Sequence, residues 1–114
     1  MSVYNFEKAE IERALRHLEM YEGECQGLID KFSVLKAHKD ANVAEIQRFP
    51  LLAAYELCLK CSHLFNILDA RGAISVTERM GVIFRIRQLA VGVAKSYQYQ
   101  QEIETNNRPA AEAV

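Results

Sequence analysis

Between residues 7 and 36 the apolar side chains Ile11, Ala14, Leu18, Tyr21, Cys25, Leu28, Phe32 and Leu35 recur at spacings of three and four, and no other feature constrains the chain as tightly. A strand would turn such residues to both of its faces, whereas a helix of 3.6 residues per turn gathers them into one stripe. The expected first element is therefore a long amphipathic helix whose stripe must be covered by the rest of the molecule. Asn5 is placed to cap its start. Gly23 and Gly27 leave the stripe intact, each at a cost of about 1 kcal/mol relative to alanine, and either is a candidate point of close helix approach.

Residues 37–49 lose this periodicity and read as a connection with room for a short helical turn. Pro50 suits the first turn of a second helix, where its missing N–H does no harm. From there to about residue 71, Leu52, Tyr55, Leu57, Cys58, Leu59, Cys61, Leu64, Phe65, Ile67 and Leu68 surround most of the helix circumference. This pattern predicts the most buried element of the fold. Gly72 is the expected left-handed residue after it, and Ser75 to Glu78 has the spacing of a capping box that opens a third helix. Val76, Met80, Ile83, Ala90, Val93, Ala94 and Tyr97 supply that helix with a stripe to about residue 98, widened by Phe84, Ile86 and Leu89.

The predicted fold is all-α: a three-helix antiparallel bundle with a long connection between helices 1 and 2 and a frayed C-terminal tail. Residues 1–98 form the single helical domain, and the polar residues 99–114 are expected to be disordered. A chain of 114 residues, half of them hydrophobic and a quarter charged, is long enough to bury a core of its own. The formal net charge of −1 gives no whole-molecule attraction to nucleic acid or to acidic lipid. No apolar run approaching the roughly 20 residues of a membrane span is evident, and the N-terminus lacks the plan of a signal peptide. These readings predict a cytoplasmic protein without a membrane partner.

Cys58-x-x-Cys61-x-His63 is the nearest approach to a metal or redox motif. Structural zinc requires four ligands, and Cys25, His17 and His38 could complete the set only by an accident of folding. Redox pairs of this spacing sit at a helix N-terminus, where the dipole lowers a thiol pKa, whereas this pair falls in mid-helix. The three cysteines are expected to be buried thiols acting as small hydrophobes, with no disulfide and no metal. His63 and Asp69 are too far apart along one helix for a nucleophilic triad, and no glycine-rich phosphate loop is present. No residue is assigned a catalytic role.

Charge is distributed unevenly. Residues 1–30 hold three basic and seven acidic side chains, a balance of −4, whereas residues 71–95 hold Arg71, Arg79, Arg85, Arg87 and Lys95 against Glu78 alone, a balance of +4. These cations are either phosphate contacts for RNA or partners of carboxylates within the chain or across a subunit boundary. Arg85 and Arg87, two residues apart, cannot share a helix face. Asp69, Gly72, Ser75 and Glu78 are expected to build a rigid structural corner between helices 2 and 3, with Asp69 bonding Arg79 or the same turn.

The run His63-Leu64-Phe65-Asn66-Ile67-Leu68-Asp69-Ala70-Arg71-Gly72-Ala73-Ile74-Ser75-Val76-Thr77-Glu78-Arg79, with Arg85-Ile86-Arg87-Gln88-Leu89-Ala90 after it, resembles the signature near the C-terminus of the alpha subunit of bacterial heterotetrameric glycyl-tRNA synthetase. Tyr4-Asn5-Phe6-Glu7, Tyr21-Glu22, Tyr55 and Lys60 fall in the same order, so the resemblance spans roughly residues 3–97. It implies a helical part that follows a class II catalytic core. ATP and Mg²⁺ are implied only for that core, so this chain carries over no catalytic residue and no cofactor, and alone is expected to be inactive. The beta subunit and tRNA are the implied partners, with a function in glycyl-tRNA formation through subunit or acceptor-arm contacts. Met80-Gly81-Val82 departs from a stretch that is more polar or aromatic in the family, and the 36–49 connection is longer. Two origins stay open, a fragment cut before Tyr4 or a stand-alone homologue. The rival reading is a stand-alone interaction protein that dimerises through its heptad-like first helix.

Overall fold

The computed structural model describes residues 3–106. They form four helices: α1 (Val3–Ala37), α2 (Val43–Arg48), α3 (Leu51–Ala70) and α4 (Val76–Asn106). The chain is all-α, with no strand among the described residues. Asn5 lies inside α1 rather than before it, so it is not the cap of that helix.

Residue pairs along the helices fix their relative directions. Glu10 meets Arg71, Tyr21 meets Lys60 and Cys25 meets Ala54, so α3 runs against α1. Glu22 meets Arg85 and Phe32 meets Tyr99, so α1 and α4 run the same way. The three long helices lie side by side in an elongated molecule of 66 × 24 × 22 Å. Between them Leu18, Cys25, Ile29, Ala54, Cys58, Cys61, Phe65, Leu68, Ile74, Val82, Leu89 and Val93 form one buried cluster. Close approach of α1 to α4 occurs at Gly92, where a Cβ would lie 3.0 Å from Ile29 Cδ1. Gly23 and Gly27, the expected contact points, have no neighbour within 4 Å of such an atom.

The connection after α1 is not irregular throughout. Asn42 accepts a hydrogen bond from the Ala44 N–H at 2.9 Å and so caps α2, which buries Ile46. Phe32, Ile46 and Leu51 form a second buried cluster, against which Tyr99 and Ile103 pack. The Gln100 side-chain amide donates to the carbonyls of Ile46, at 2.8 Å, and of Gln47 and Phe49, both at 3.3 Å. Helix α4 consequently continues past the expected end at Gln98 to Asn106. The extra turns are ordered because they cover α2. The rest of the expected tail, residues 107–114, lies outside the described residues.

Two further expectations change. Val93 and Leu89 of the expected third-helix stripe are buried, but Val76 and Met80 are 86% and 68% exposed, Ala90 and Ala94 are exposed as well, and Val82, outside the expected stripe, is buried. The difference is greatest in the first turns of α4, where Val82 rather than Val76 and Met80 joins the core. Helix α3 is likewise not buried all round, because α1 and α4 leave Leu52, Tyr55 and Leu59 exposed. The stretch Val43–Ala70 is also long and apolar enough to cross a membrane by length and composition alone, where the sequence pattern predicts no such run. Its Cys58, Cys61, Phe65 and Leu68 are, however, committed to the shared core.

Candidate functional site

The corner between α3 and α4 is built from backbone caps. Gly72 takes a φ of +68°, which favours glycine because it has no Cβ to clash. Ala73 N–H reaches the Leu68 carbonyl at 2.9 Å and Gly72 N–H the Asp69 carbonyl at 3.0 Å. This paired closure satisfies carbonyls that the helix end would leave free. Ser75 then starts α4: its Oγ accepts from the Glu78 N–H at 3.1 Å and its carbonyl from the Arg79 N–H at 2.9 Å. The reciprocal half of the expected capping box, Glu78 reaching back to Ser75, is not formed among the described residues. Arg79 Nε donates to Asp69 Oδ2 at 3.2 Å and ties the two helices across the turn.

The cations of the basic segment fall into two groups. Arg71 pairs with Glu10 at 3.3 Å, Arg79 with Asp69 at 3.2 Å, and Arg85 with Glu22 at 3.4 Å. Two of these bonds fasten α1 to the other helices, so the acidic first helix and the basic last one are partly complementary surfaces of a single fold. Their exposure limits each pair to at most about 1 kcal/mol of stability. Arg87 and Lys95 are exposed and make no ion pair among the described residues. Arg87, Val91 and Lys95 succeed one another at a spacing of four, so they share one strip of the helix surface. Val76, Met80 and Phe84 continue that outward surface toward the corner, all more than half exposed.

The cysteine motif is divided between two environments. Cys25, Cys58 and Cys61 are buried, while His63 is exposed. Cys25 Sγ lies 3.3 Å from the Ala54 carbonyl and donates to it. Burial holds the Cys25 thiol up at about 11, with neighbouring Cys58 adding to the effect. Burial, Glu22 and the other two thiols raise Cys61 to about 12, and burial raises Cys58. Such thiols stay protonated at neutral pH and are poor nucleophiles or metal ligands. His17 stacks near Tyr21 at 5.9 Å, and His38 Nδ1 accepts from the Asp40 N–H at 3.1 Å. Neither histidine joins the thiols. Among the described residues no three His, Cys, Asp or Glu side chains are grouped to hold a metal ion.

Surface features that sequence reasoning missed are apolar. A groove of about 490 Å³ between α3 and α4 is lined by Leu52, Tyr55, Leu59, Ala90, Ala94 and Tyr97, among others. The available signal was the recurrence of Leu52, Tyr55, Leu59 and Ser62 at spacings of three and four, on a helix expected to be buried on most of its circumference. A second groove, of about 330 Å³, lies between α1 and α4 beside Glu22, Gly23, Phe84 and Arg85.

A family model described as the glycyl-tRNA synthetase alpha subunit matches residues 1–102. No solved structure matches the chain.

Proposed function

The chain belongs to the glycyl-tRNA synthetase alpha-subunit family, and from that premise we propose that it serves glycyl-tRNA formation as a non-catalytic, antiparallel three-helix module that contacts tRNA. The observation that carries this reading is the pairing pattern on α4. Arg79 and Arg85 hold carboxylates, whereas Arg87 and Lys95 stand on one exposed strip with none. Guanidinium and ammonium groups in that state are available to phosphate oxygens. Arg71, Arg79 and Arg85, each already holding a carboxylate, serve the fold first and RNA second.

ATP with Mg²⁺ is implied by the family only for its catalytic core, and no residue of this chain is proposed to hold either. Glu10, Glu22 and Asp69 are each engaged by a different arginine, and none of them is proposed as a ligand. No catalytic step is assigned to this chain.

Titration of the purified chain with tRNA at two salt concentrations tests the proposal. Binding that weakens with salt, and weakens further in Arg87→Ala, is the expected result. No binding even at low salt would overturn the phosphate-contact reading. A second reading, contact with the beta subunit, is favoured by the exposed apolar side chains of Val76, Met80 and Phe84 beside the corner. Met80→Lys would then weaken capture of the beta subunit and leave tRNA binding unchanged.

A further inference from the structure

The side of the bundle where α1 meets α3 carries a pocket of about 400 Å³, lined by Tyr21 of α1 and by Leu59, Lys60, His63 and Leu64 of α3. Its lining comes from these two helices, so it lies apart from the α4 strip of Arg87 and Lys95 that the proposed function uses. Lys60 is exposed and sets its ammonium over the Tyr21 ring, 5.2 Å from the centroid. It makes no ion pair among the described residues, although Glu56 stands one turn away on the same helix. An exposed contact between a cation and an aromatic face is weak, so the ammonium remains available to an anion.

The groups around this pair are sorted by end. Helices α1 and α3 run against each other, so a step back along α1 and a step forward along α3 lead the same way. His17, four residues before Tyr21, and His63, three residues after Lys60, therefore flank the pocket at one end, each on the face of the helix that it shares with its neighbour. His17 packs on Tyr21 with ring centroids 5.9 Å apart, and His63 is exposed. Glu24, three residues after Tyr21, and Glu56, four residues before Lys60, stand at the other end, both exposed. The arrangement suits a flat ligand that carries an anion, and it gives that ligand a direction, with the anion toward the histidines and away from the glutamates. An acidic peptide brings carboxylates but nothing flat for Tyr21, Leu59 and Leu64. A nucleic-acid duplex brings phosphates but keeps its bases stacked on one another. An unpaired nucleotide brings both a free base and a phosphate.

We infer that the pocket between α1 and α3 receives an unpaired nucleotide of single-stranded RNA, its base against Tyr21, Leu59 and Leu64 and its phosphate at Lys60 and His63. The base takes over the face of Tyr21 that Lys60 covers, and the ammonium turns outward onto the phosphate. The inference rests on the reading that this chain meets RNA, but it assigns a different part of the RNA. The α4 strip holds phosphates whether or not their bases are paired, whereas this pocket accepts an unpaired nucleotide only.

Fluorescence anisotropy of labelled hexacytidylate RNA, titrated with the purified full chain at low salt, tests the pocket. Binding with a Kd of about 100 μM is expected. Tyr21→Leu, which keeps an apolar side chain against the core, should weaken it about ten-fold through the lost stacking. Lys60→Gln, on an exposed site, should weaken it about five-fold and flatten its salt dependence. Lys39→Gln, the same charge change in the connection after α1, should alter it less than about two-fold. Circular dichroism checks that each variant is folded. No binding of hexacytidylate at low salt overturns the inference, as does equal weakening by Lys60→Gln and Lys39→Gln. Equal binding of an RNA duplex, or of hexaglutamate in its place, overturns it too. The two readings fail apart: salt-sensitive tRNA binding without hexacytidylate binding removes the pocket alone, and tRNA binding that Lys60→Gln weakens but Arg87→Ala does not removes the α4 contact alone.

Discussion

Asp69 Oδ2 accepts a hydrogen bond from Arg79 Nε at 3.2 Å, joining the last turn of α3 to the first turns of α4 across the Gly72–Ser75 bend. The backbone caps of the bend set the direction in which α4 leaves, and this side-chain bond holds the angle. Asp69 is the less exposed partner, with 31% of its side chain accessible against 50% for Arg79. Its replacement by alanine should cost about 0.5–1 kcal/mol, a fall in melting temperature of a few degrees. Arg79→Ala should cost about as much, and the double variant less than the sum of the two. An unchanged melting temperature in Asp69→Ala would remove the corner bond from the account.

The corner was legible in the sequence because caps are local: a glycine after an apolar run and a serine three residues before a glutamate need no knowledge of the rest of the chain. Helix positions were legible for the same reason. The inward side of the first turns of α4 was not. Val76 and Met80 obey a helical period as well as Val82 does, and only the placing of the neighbouring helices decides which is covered, whereas Leu89 and Val93 are buried as their stripe predicts. The end of α4 was misread because Gln100 looks like tail composition until α2 supplies three carbonyls for its amide. At the candidate site, the sequence offered Asp69 as a partner for Arg79, but not the individual partners of Arg71 and Arg85. Glu10 and Glu22 lie more than sixty residues away from Arg71 and Arg85 in the chain, a distance that no local pattern bridges.

Gly23 is exposed in the interior of α1, and a Cβ added there meets nothing within 4 Å. Gly23→Ala should therefore raise stability by about 1 kcal/mol through helix propensity alone. Gly92 provides the contrast. A Cβ there would lie 3.0 Å from Ile29 Cδ1 and 3.3 Å from its Cγ2, so the propensity gain is offset by displacement of Ile29. Chemical denaturation of both variants checks the pair, and the account fails if Gly92→Ala gains as much as Gly23→Ala.

The buried thiols make stability fall in alkali. Cys25 and Cys61 are raised from an ordinary value of 9.0 to about 11 and about 12, chiefly by burial. Below pH 9 both are protonated in the folded and unfolded chains, and their contribution is fully present. Between pH 9 and about 12 the unfolded chain releases protons that the folded chain retains, so stability declines as pH rises. Denaturation curves across that range should show the decline, and Cys61→Ala should reduce its slope although it also leaves a small cavity. Thiol-labelling reagents at pH 8 should react with all three cysteines at the rate of unfolding. Fast labelling in the native state would contradict their burial.

Removal of the chain after Gln98 should destabilise α2 and the second cluster as well as shortening α4. Phe32, Ile46 and Leu51 are each at most 2% exposed, and Tyr99 and Ile103 are among the side chains that keep them so. Tyr99 packs edge-on to Phe32 at 6.1 Å and lies 5.0 Å beneath the Lys36 ammonium. Losing these contacts, together with the amide of Gln100, should cost about 2–4 kcal/mol. Gln100→Ala alone removes the donor to three carbonyls and should cost about 1 kcal/mol. Hydrogen exchange localises the effect: residues 43–49 should lose protection in both variants, while the centre of α3 keeps most of it. If the truncated chain melts at the same temperature as the full one, Tyr99 and Ile103 are not part of the core.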